Sequence, residues 1–300
     1  MASLYTQQSR NVRRTVFLMT GFLVLVIALG WAVSWYFDNQ LLLYFAIAFS
    51  LLMNIGAYWF SDKVAIAAAG AKPADEREYK ELHRIVENLA ITAGLPKPRV
   101  YIIQDAAPNA FATGRDKNHA AIAVTTGLLA QLERSELEGV LAHELSHIGN
   151  RDILVMTVAV VLAGFIAVLA DIFLRVSIFG GGDRDNKNPV VAIIAIAGII
   201  IAPIAAQLIQ LAISRRREFL ADASGALLTR YPEGLASALQ KISSYPAPMR
   251  RASNATAHLF ISNPFGASAG RSAKGQWVQK LFSTHPPVTE RIQALQGIDI

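Results

Sequence analysis

Two histidines four positions apart are the residues whose spacing most directly indicates chemistry, in the segment His143-Glu144-Leu145-Ser146-His147. Residues i and i+4 share one face of an α-helix, so both imidazoles can bind a single metal ion. Glu144 would lie beside that ion, where its carboxylate can take a proton from water. The segment predicts a metal-dependent hydrolase. A surface helix that happens to carry two histidines is the alternative interpretation.

A catalytic zinc ion needs a third protein ligand, which the histidine segment does not contain. The chain has no cysteine, and no further histidine follows closely after His147. The best candidate is Glu218 in the segment REFLAD at 217–222. Asp222 lies one helical turn further and can accept a hydrogen bond from the second nitrogen of a ligand histidine. A solvated acidic pair that balances the basic run 215–217 is the alternative.

Long apolar runs must position these groups. Hydrophobic residues are 53% of the 300 and charged residues 17%, which excludes a disordered chain and argues against a wholly soluble one. About 20 apolar residues cross the hydrocarbon of a bilayer, and backbone groups in lipid require helices. The first run exceeds the core of a signal peptide and is expected to be an uncleaved anchor. We expect four transmembrane helices, at 16–37, 41–60, 153–174 and 190–213.

Basic residues near the ends of these runs set the orientation, because the side richer in Lys and Arg faces the cytoplasm. An even number of crossings returns the chain to its starting face and brings Glu218 near His147. We therefore expect both termini and the polar segments 61–152 and 214–300 to be cytoplasmic. The basic residues on that side are Arg10, Arg13, Arg14, Lys63, Lys72, Arg151, Arg215, Arg216 and Arg217, against Arg175, Arg184 and Lys187 on the other.

The polar segments have the pattern of a small α+β domain. Ser135 and Glu138 predict a capping box that opens a helix running through residue 148. The stretch 247–275 is rich in Ser, Ala, Asn, Gly and Pro and is expected to be a mobile loop. The other expected elements are an amphipathic helix at 75–93, strands or turns at 99–104, 108–114 and 120–126, and helices at 214–228, 233–243 and 288–296.

The HELSH segment at the mouth of a span, the EFLAD segment after the next span and two further spans at the N-terminus resemble the HtpX family. That family consists of membrane-integral zinc metalloproteases of the gluzincin type, related to the CAAX-prenyl proteases. The resemblance covers essentially the whole chain. It implies His143, His147 and Glu218 as ligands of one zinc ion, Glu144 as catalytic acid and base, and Asp222 as support for a ligand.

The resemblance extends to Asn109, Ala110 and Phe111, which are similar to the family's edge strand. It implies that backbone groups there pair with an extended substrate, a form of β-augmentation. It also extends to His285, before two prolines, and to Arg291. His285 would donate to the developing oxyanion and Arg291 would pair with Asp222, although a histidine before Pro-Pro can also simply shape a turn.

The resemblance further implies a mainly α, membrane-embedded fold with a cytosolic, zincin-like α+β catalytic domain and a small sheet. We expect a tail and two-span anchor at 1–60 and the first half of the catalytic domain at 61–152. A transmembrane hairpin at 153–213 and the second half of the domain at 214–300 would follow.

The expected function is that of a zinc metalloendopeptidase in the cell membrane, which hydrolyses misfolded or damaged membrane proteins at the cytosolic face for quality control. Its expected partners are protein or peptide substrates and the lipid bilayer, and the sequence leaves the oligomeric state open. No nucleic acid is expected, because the net charge of +6 comes from residues beside apolar runs and not from a broad patch. The alternatives are an inactive peptidase-like scaffold and a transporter that uses Asp171, Gln207 and Gln210 near the spans.

Overall fold

The chain begins with two long helices, α1 (Leu4–Tyr36) and α2 (Gln40–Ala69), which pack against each other. The structure is a computed structural model, and it describes residues 4–36, 38–159, 161–162, 165, 215–252, 256–266 and 286–298. Within those residues, Ser9–Ala32 and Gln40–Ala69 are long and apolar enough to cross a membrane. These helices coincide with the first two predicted spans, and large apolar side chains such as Trp35 and Phe45 are exposed on them.

A third helical segment, residues 152–159, packs against this pair. Val155 and Val158 share a buried cluster with Leu18 and Phe22 of α1 and Ala57 of α2. The third predicted span therefore begins as a helix beside the first two. The rest of that run and the fourth run lie almost entirely outside the described residues, as do the transporter candidates Asp171, Gln207 and Gln210.

A four-stranded sheet follows α2 along the chain, with the order β1-β2-β4-β3. Its central pair, β2 and β4, is parallel, and the outer pairs are antiparallel. The edge strand β3 is short and fully buried. The strands are β1 (Lys72–Pro73), β2 (Arg99–Ile103), β3 (Ala110–Thr113) and β4 (Ala121–Thr125).

Helices from both predicted halves of the catalytic domain surround this sheet and share one core. Leu141, Leu235 and Leu295 come from different helices and are members of the same buried cluster. The two polar segments therefore fold together. The helices are α3 (Lys80–Thr92), α4 (Thr126–Gln131), α5 (Arg134–Gly149), α6 (Arg215–Thr229), α7 (Pro232–Ser244) and α8 (Val288–Gln296).

The predicted capping box of α5 is wrong by two residues. Glu133 is the N-cap, and its backbone N–H donates to Oε2 of Glu136 at 2.8 Å. The Glu136 carboxylate is also fixed by Lys241 of α7, whose Nζ lies 2.8 Å away. Ser135 and Glu138 instead lie inside the helix. The contact with Lys241 of α7 favours Glu136 as the acidic residue of the capping box. The local sequence does not reveal this contact between distant segments.

The prediction of a mobile loop at 247–275 is also wrong for part of that stretch. Leu259, Phe260 and Ile261 are almost fully buried. Leu259 ends a 3-10 helix at Ala257–Leu259, and the other two residues follow it. The N–H of Ile261 donates to the carbonyl oxygen of Ala110 in β3 at 2.9 Å. Apolar side chains within an otherwise small and polar stretch thus hold these residues against the edge strand.

Candidate metal centre

The helix α5 presents both histidines of the HELSH segment inside the protein. His143 and His147 are 1% and 3% exposed, and their Nε2 atoms lie 3.1 Å apart. The face of α5 that carries them is covered by α6, which packs along its length. The predicted helical spacing therefore does bring the two imidazole nitrogens to one point.

Glu218 reaches the same point from the first turn of α6. Its carboxylate oxygens lie 3.9 Å from Nε2 of His143 and 3.6 Å from Nε2 of His147. Ligands at about 2.0–2.2 Å from a tetrahedral zinc ion are about 3.3–3.6 Å apart, so two nitrogens and one carboxylate at these separations fit a zinc site. All three residues are buried, and their candidate ligand atoms lie within 4.8 Å of one another.

Asp222, one turn after Glu218, supports His143. Its Oδ1 lies 2.9 Å from Nδ1 of His143. Arg291 of α8 donates from Nε and Nη2 to the two oxygens of the same carboxylate, at 2.8 and 2.6 Å. A carboxylate at Nδ1 orients the ring so that the Nε2 lone pair is available to a metal. The two residues that sequence reasoning placed together, Asp222 and Arg291, are thus in direct contact.

His147 has a corresponding support that the sequence analysis missed. Oδ2 of Asp152 lies 3.1 Å from Nδ1 of His147. Oδ1 of the same carboxylate accepts a hydrogen bond from Nδ2 of Asn11, at 2.6 Å, and lies 3.6 Å from Nε of Arg217. The only sequence signal was an acidic residue soon after the second histidine. Its significance depends on the turn at Arg151, which has a φ of 57° and ends α5 before the next helical segment begins.

The two histidines differ in their proton affinity before metal binds. Burial lowers the pKa of His143 to about 4, against the opposing effect of Asp222. Burial would also lower the pKa of His147, but its hydrogen bond to Asp152 and the nearby charge of Glu218 outweigh that effect and raise it to about 9. At neutral pH His143 is therefore already in its ligand form, whereas His147 must lose a proton.

Glu144 lies beside the three candidate ligands and is 1% exposed. Burial raises its pKa to about 7, although the charge of His147 and a hydrogen bond from the backbone of Ala112 act in the opposite direction. A carboxyl group with a pKa near the working pH can both accept and return a proton. The site therefore combines three candidate metal ligands with a buried carboxyl group whose pKa suits acid/base chemistry.

The edge strand β3 runs next to this carboxylate. The Thr125 N–H donates to the Asn109 carbonyl, so the alternation of an antiparallel pair directs the backbone groups of Phe111 toward β4. Ala110 and Ala112 present theirs at the other edge. The Ala110 carbonyl accepts from Ile261, and the Asn109 side chain donates to the Ser262 carbonyl at 3.0 Å. His285, the remaining predicted site residue, lies outside the described residues.

Comparison with known proteins identifies the family to which the chain is similar. Residues 76–299 match the model of peptidase family M48. The protease HtpX homolog of Thermoanaerobacter pseudethanolicus is 50% identical over 303 residues, covering 99% of this chain and 98% of the relative. The protease HtpX homolog of Pyrococcus furiosus is 49% identical over 290 residues, covering 95% of each chain.

Among solved structures, the crystal structure of S. mikatae Ste24p has a similar fold. The TM-score is 0.52 at 18% sequence identity, and the match covers 97% of this chain and 67% of that chain. At this identity the likeness concerns the fold alone.

Proposed function

The chain belongs to peptidase family M48 and is a membrane-bound metalloprotease, and we propose that it is an endopeptidase whose metal is one zinc ion held by His143, His147 and Glu218. The convergence of these three buried side chains on one point carries the proposal. Two nitrogens and a carboxylate oxygen are the ligand set of many catalytic zinc sites, which keep a further position open.

Glu144 performs the proton transfers in the proposed reaction. When bound, zinc supplies a Lewis acid that polarises the scissile carbonyl and acidifies water. The Glu144 carboxylate accepts the proton of the attacking water and then returns it to the departing amine. Its buried position next to the triad and its raised pKa suit both steps. Asp222 and Asp152 meanwhile fix the ring orientations of the two histidines.

Substrate recognition is assigned to the edge formed by Asn109, Ala110 and Phe111. An extended peptide would pair with outward backbone groups of this edge. We assign that pairing to the Ala112 carbonyl, because the Ala110 carbonyl accepts from Ile261, the Ala110 N–H donates to the Asn109 side chain and the Ala112 N–H donates to Glu144. The Asn109 side chain holds Ser262, and Phe111 packs edge-on against Phe260 at 5.1 Å, so both residues shape the strand. Residues 260–262 would thus border the bound peptide.

Two residues from the C-terminal part complete the proposed site. Arg291 neutralises Asp222, whose pKa would be raised by burial but is held low by the charge and hydrogen bonds of the guanidinium. We assign His285 as a donor to the oxyanion that develops on the scissile carbonyl. That role is implied by the resemblance of the segment around His285 to the HtpX family. The test is His285→Ala, which should lower turnover with little change in KM.

The proposed location is the cell membrane, with four spans and with both termini and the catalytic domain in the cytoplasm. Two apolar helices and the contact between Asn11 of α1 and Asp152 support a site at the membrane edge. Misfolded or damaged membrane proteins are the proposed substrates, because an active site at that depth meets segments that leave the bilayer. The proposed organisation keeps an anchor at 1–60, a hairpin at 153–213 and domain halves at 61–152 and 214–300.

The replacement Glu144→Gln tests the assignment. It keeps the size of the side chain and removes its proton acceptor, so about one zinc per chain should remain bound while casein hydrolysis falls by at least about 100-fold. The matched control is Glu138→Gln on the same helix, in a side chain that faces Arg134. Cleavage by Glu144→Gln at the wild-type rate, or wild-type protein that binds no zinc and is indifferent to chelator, would overturn the proposal.

A further inference from the structure

A cavity of about 440 Å³ lies where α2 meets the sheet, away from the metal centre. Its wall includes Trp59, Phe60 and Lys63 at the C-terminal end of α2, together with Arg99 of β2 and Arg115 just after β3. Trp59 and Phe60 are half exposed. We call this cavity the interfacial groove. None of its residues takes part in the chemistry proposed above.

The interfacial groove combines aromatic rings with an excess of positive charge. The guanidinium of Arg115 lies 4.6 Å from the centre of the Trp59 ring, and the Lys63 ammonium lies 5.3 Å from that of Phe60. Arg99 donates to the Asp62 carboxylate at 2.6 Å. Cations over aromatic faces are held in place without losing their charge.

The balance of these charges favours an anion. Arg99 pairs with Asp62, and Arg115 lies 3.5 Å from Asp116. Among the described residues, Lys63 forms no ion pair with an acidic side chain. Three cationic groups thus face two carboxylates, and one positive charge is left without a counter-charge.

The position of the groove relative to the bilayer indicates which anion. A span that begins near residue 41 and crosses about 30 Å of hydrocarbon ends about 20 residues later, next to Phe60. Tryptophan and other aromatic rings are enriched at that depth, and Lys and Arg side chains extend into the headgroup layer. Leu52, Ile55 and Trp59 form an exposed stripe at i, i+3 and i+7 that leads along α2 into the groove.

We propose that the interfacial groove binds the headgroup of an anionic phospholipid, with its phosphate between Lys63 and Arg115 and its acyl chains along the Leu52–Ile55–Trp59 stripe. This proposal rests on α2 crossing the membrane as proposed above, and it is independent of the peptidase chemistry. A free phosphate would gain nothing from the aromatic wall, whereas an amphiphile matches both the charge and the apolar stripe.

The test measures lipid retained by the full-length protein in a neutral detergent, by native mass spectrometry with phosphatidylglycerol or phosphatidylcholine added. The protein carries Glu144→Gln, so that self-cleavage does not interfere and the outcome does not depend on activity. The protein with an unchanged interfacial groove should retain phosphatidylglycerol in preference to phosphatidylcholine. Each cation near a lipid surface contributes about 1 kcal/mol, so the double replacement Lys63→Gln/Arg115→Gln should weaken phosphatidylglycerol binding by about five- to thirtyfold.

The control removes the same number of charges elsewhere in the same domain, by Lys80→Gln/Arg84→Gln on the exposed face of α3. It should retain phosphatidylglycerol as the parent does. If the double variant unfolds, Lys63→Gln alone is tested, because replacing Lys63 removes no ion pair among the described residues. Its affinity for phosphatidylglycerol should then fall about fivefold.

Three outcomes would overturn the proposal. The first is equal retention by the groove variants and the parent, and the second is an equal loss in the α3 control. The third is displacement of the lipid by inorganic phosphate or by polyglutamate at concentrations similar to those of phosphatidylglycerol, which would identify a phosphate site or an acidic-protein site instead.

Discussion

Nδ2 of Asn11 donates a hydrogen bond to Oδ1 of Asp152 at 2.6 Å, and both side chains are 1% exposed. The same amide donates to the carbonyl oxygen of Asn150 at 3.0 Å. Since the other oxygen of Asp152 lies 3.1 Å from Nδ1 of His147, the first helix is connected through two contacts to a candidate metal ligand. Helix α1 is therefore part of the structure that orients the candidate metal site.

Asn11→Ala should weaken zinc binding by about 10- to 100-fold, the range typical for the loss of a residue that supports a metal ligand. Without the amide, Asp152 is free to rotate toward Arg217, and His147 loses its fixed orientation. Zinc affinity is measured by competition with a chromogenic chelator. Asn88→Ala, in an exposed position of α3, is the control and should bind zinc normally. Unchanged affinity in Asn11→Ala would show that Arg217 alone holds Asp152.

Zinc binding at about pH 8 should displace one proton per chain from His147, in addition to any proton lost by zinc-bound water. The pKa of His147 is raised to about 9, so this ring is protonated in the metal-free protein, whereas His143, with a pKa of about 4, is neutral. Affinity should therefore rise about tenfold per pH unit between about pH 7 and 9 and level off above the pKa of His147. Titration calorimetry in buffers of different ionisation enthalpy counts the protons.

Asp152→Asn provides the control for the proton count. This replacement removes the carboxylate charge and so weakens the contact that raises the pKa of His147, so the ring should be mostly neutral at about pH 8 and proton release should fall by about one per chain. If the variant and the wild type release the same number of protons, the proton does not come from His147.

Arg291→Met should destabilise the protein by about 3–5 kcal/mol, the cost of removing one partner of a buried ion pair. Arg291 is 0% exposed, and its loss leaves the buried Asp222 carboxylate without its two strongest donors. Thermal unfolding in detergent measures the effect. The control is Arg134→Met, whose ion pairs on the surface should be worth less than about 1 kcal/mol. Equal midpoints for the two variants would contradict a structural role for the Arg291–Asp222 pair.

The residues that the sequence predicted correctly are those whose geometry follows from helical spacing. His143 and His147 lie four apart on α5, Glu218 and Asp222 lie four apart on α6, and each pair does share a face. The sequence-based expectation of a hairpin that leaves and re-enters on one side predicted that the two pairs lie close together, and α5 and α6 do pack against each other. The convergence of His143, His147 and Glu218 was thus predictable, whereas their role as metal ligands stays a prediction.

The residues that the sequence did not reveal depend on contacts between distant segments. Asn11 and Asp152 are 141 positions apart, and nothing local to either indicates the other. The turn at Arg151 adopts a positive φ that its sequence does not specify, and this turn gives Asp152 access to His147. Likewise, Ile261 is ordered by the edge of β3, which no composition rule for a loop includes.

Close packing of α6 on α5 depends on Gly225, which lies on the same face of α6 as Glu218 and Asp222, at i, i+4 and i+7. A Cβ atom at this position would lie 2.9 Å from the backbone nitrogen of His143, closer than such atoms approach in proteins. The helices would have to separate to accept it. The carboxylates that α6 supplies would then move away from the histidines of α5.

Gly225→Ala therefore sets two effects against each other. Alanine favours a helix over glycine by about 1 kcal/mol, whereas overpacking a close contact costs about 1–3 kcal/mol. Because the contact is with backbone and not with a flexible side chain, we expect overpacking to dominate, with a lower unfolding temperature and weaker zinc binding. Gly56→Ala, where nothing lies within 4 Å of the new atom, isolates the helix-propensity effect and should leave zinc binding unchanged. If Gly225→Ala binds zinc as tightly as the wild type, the spacing between α5 and α6 does not control the triad.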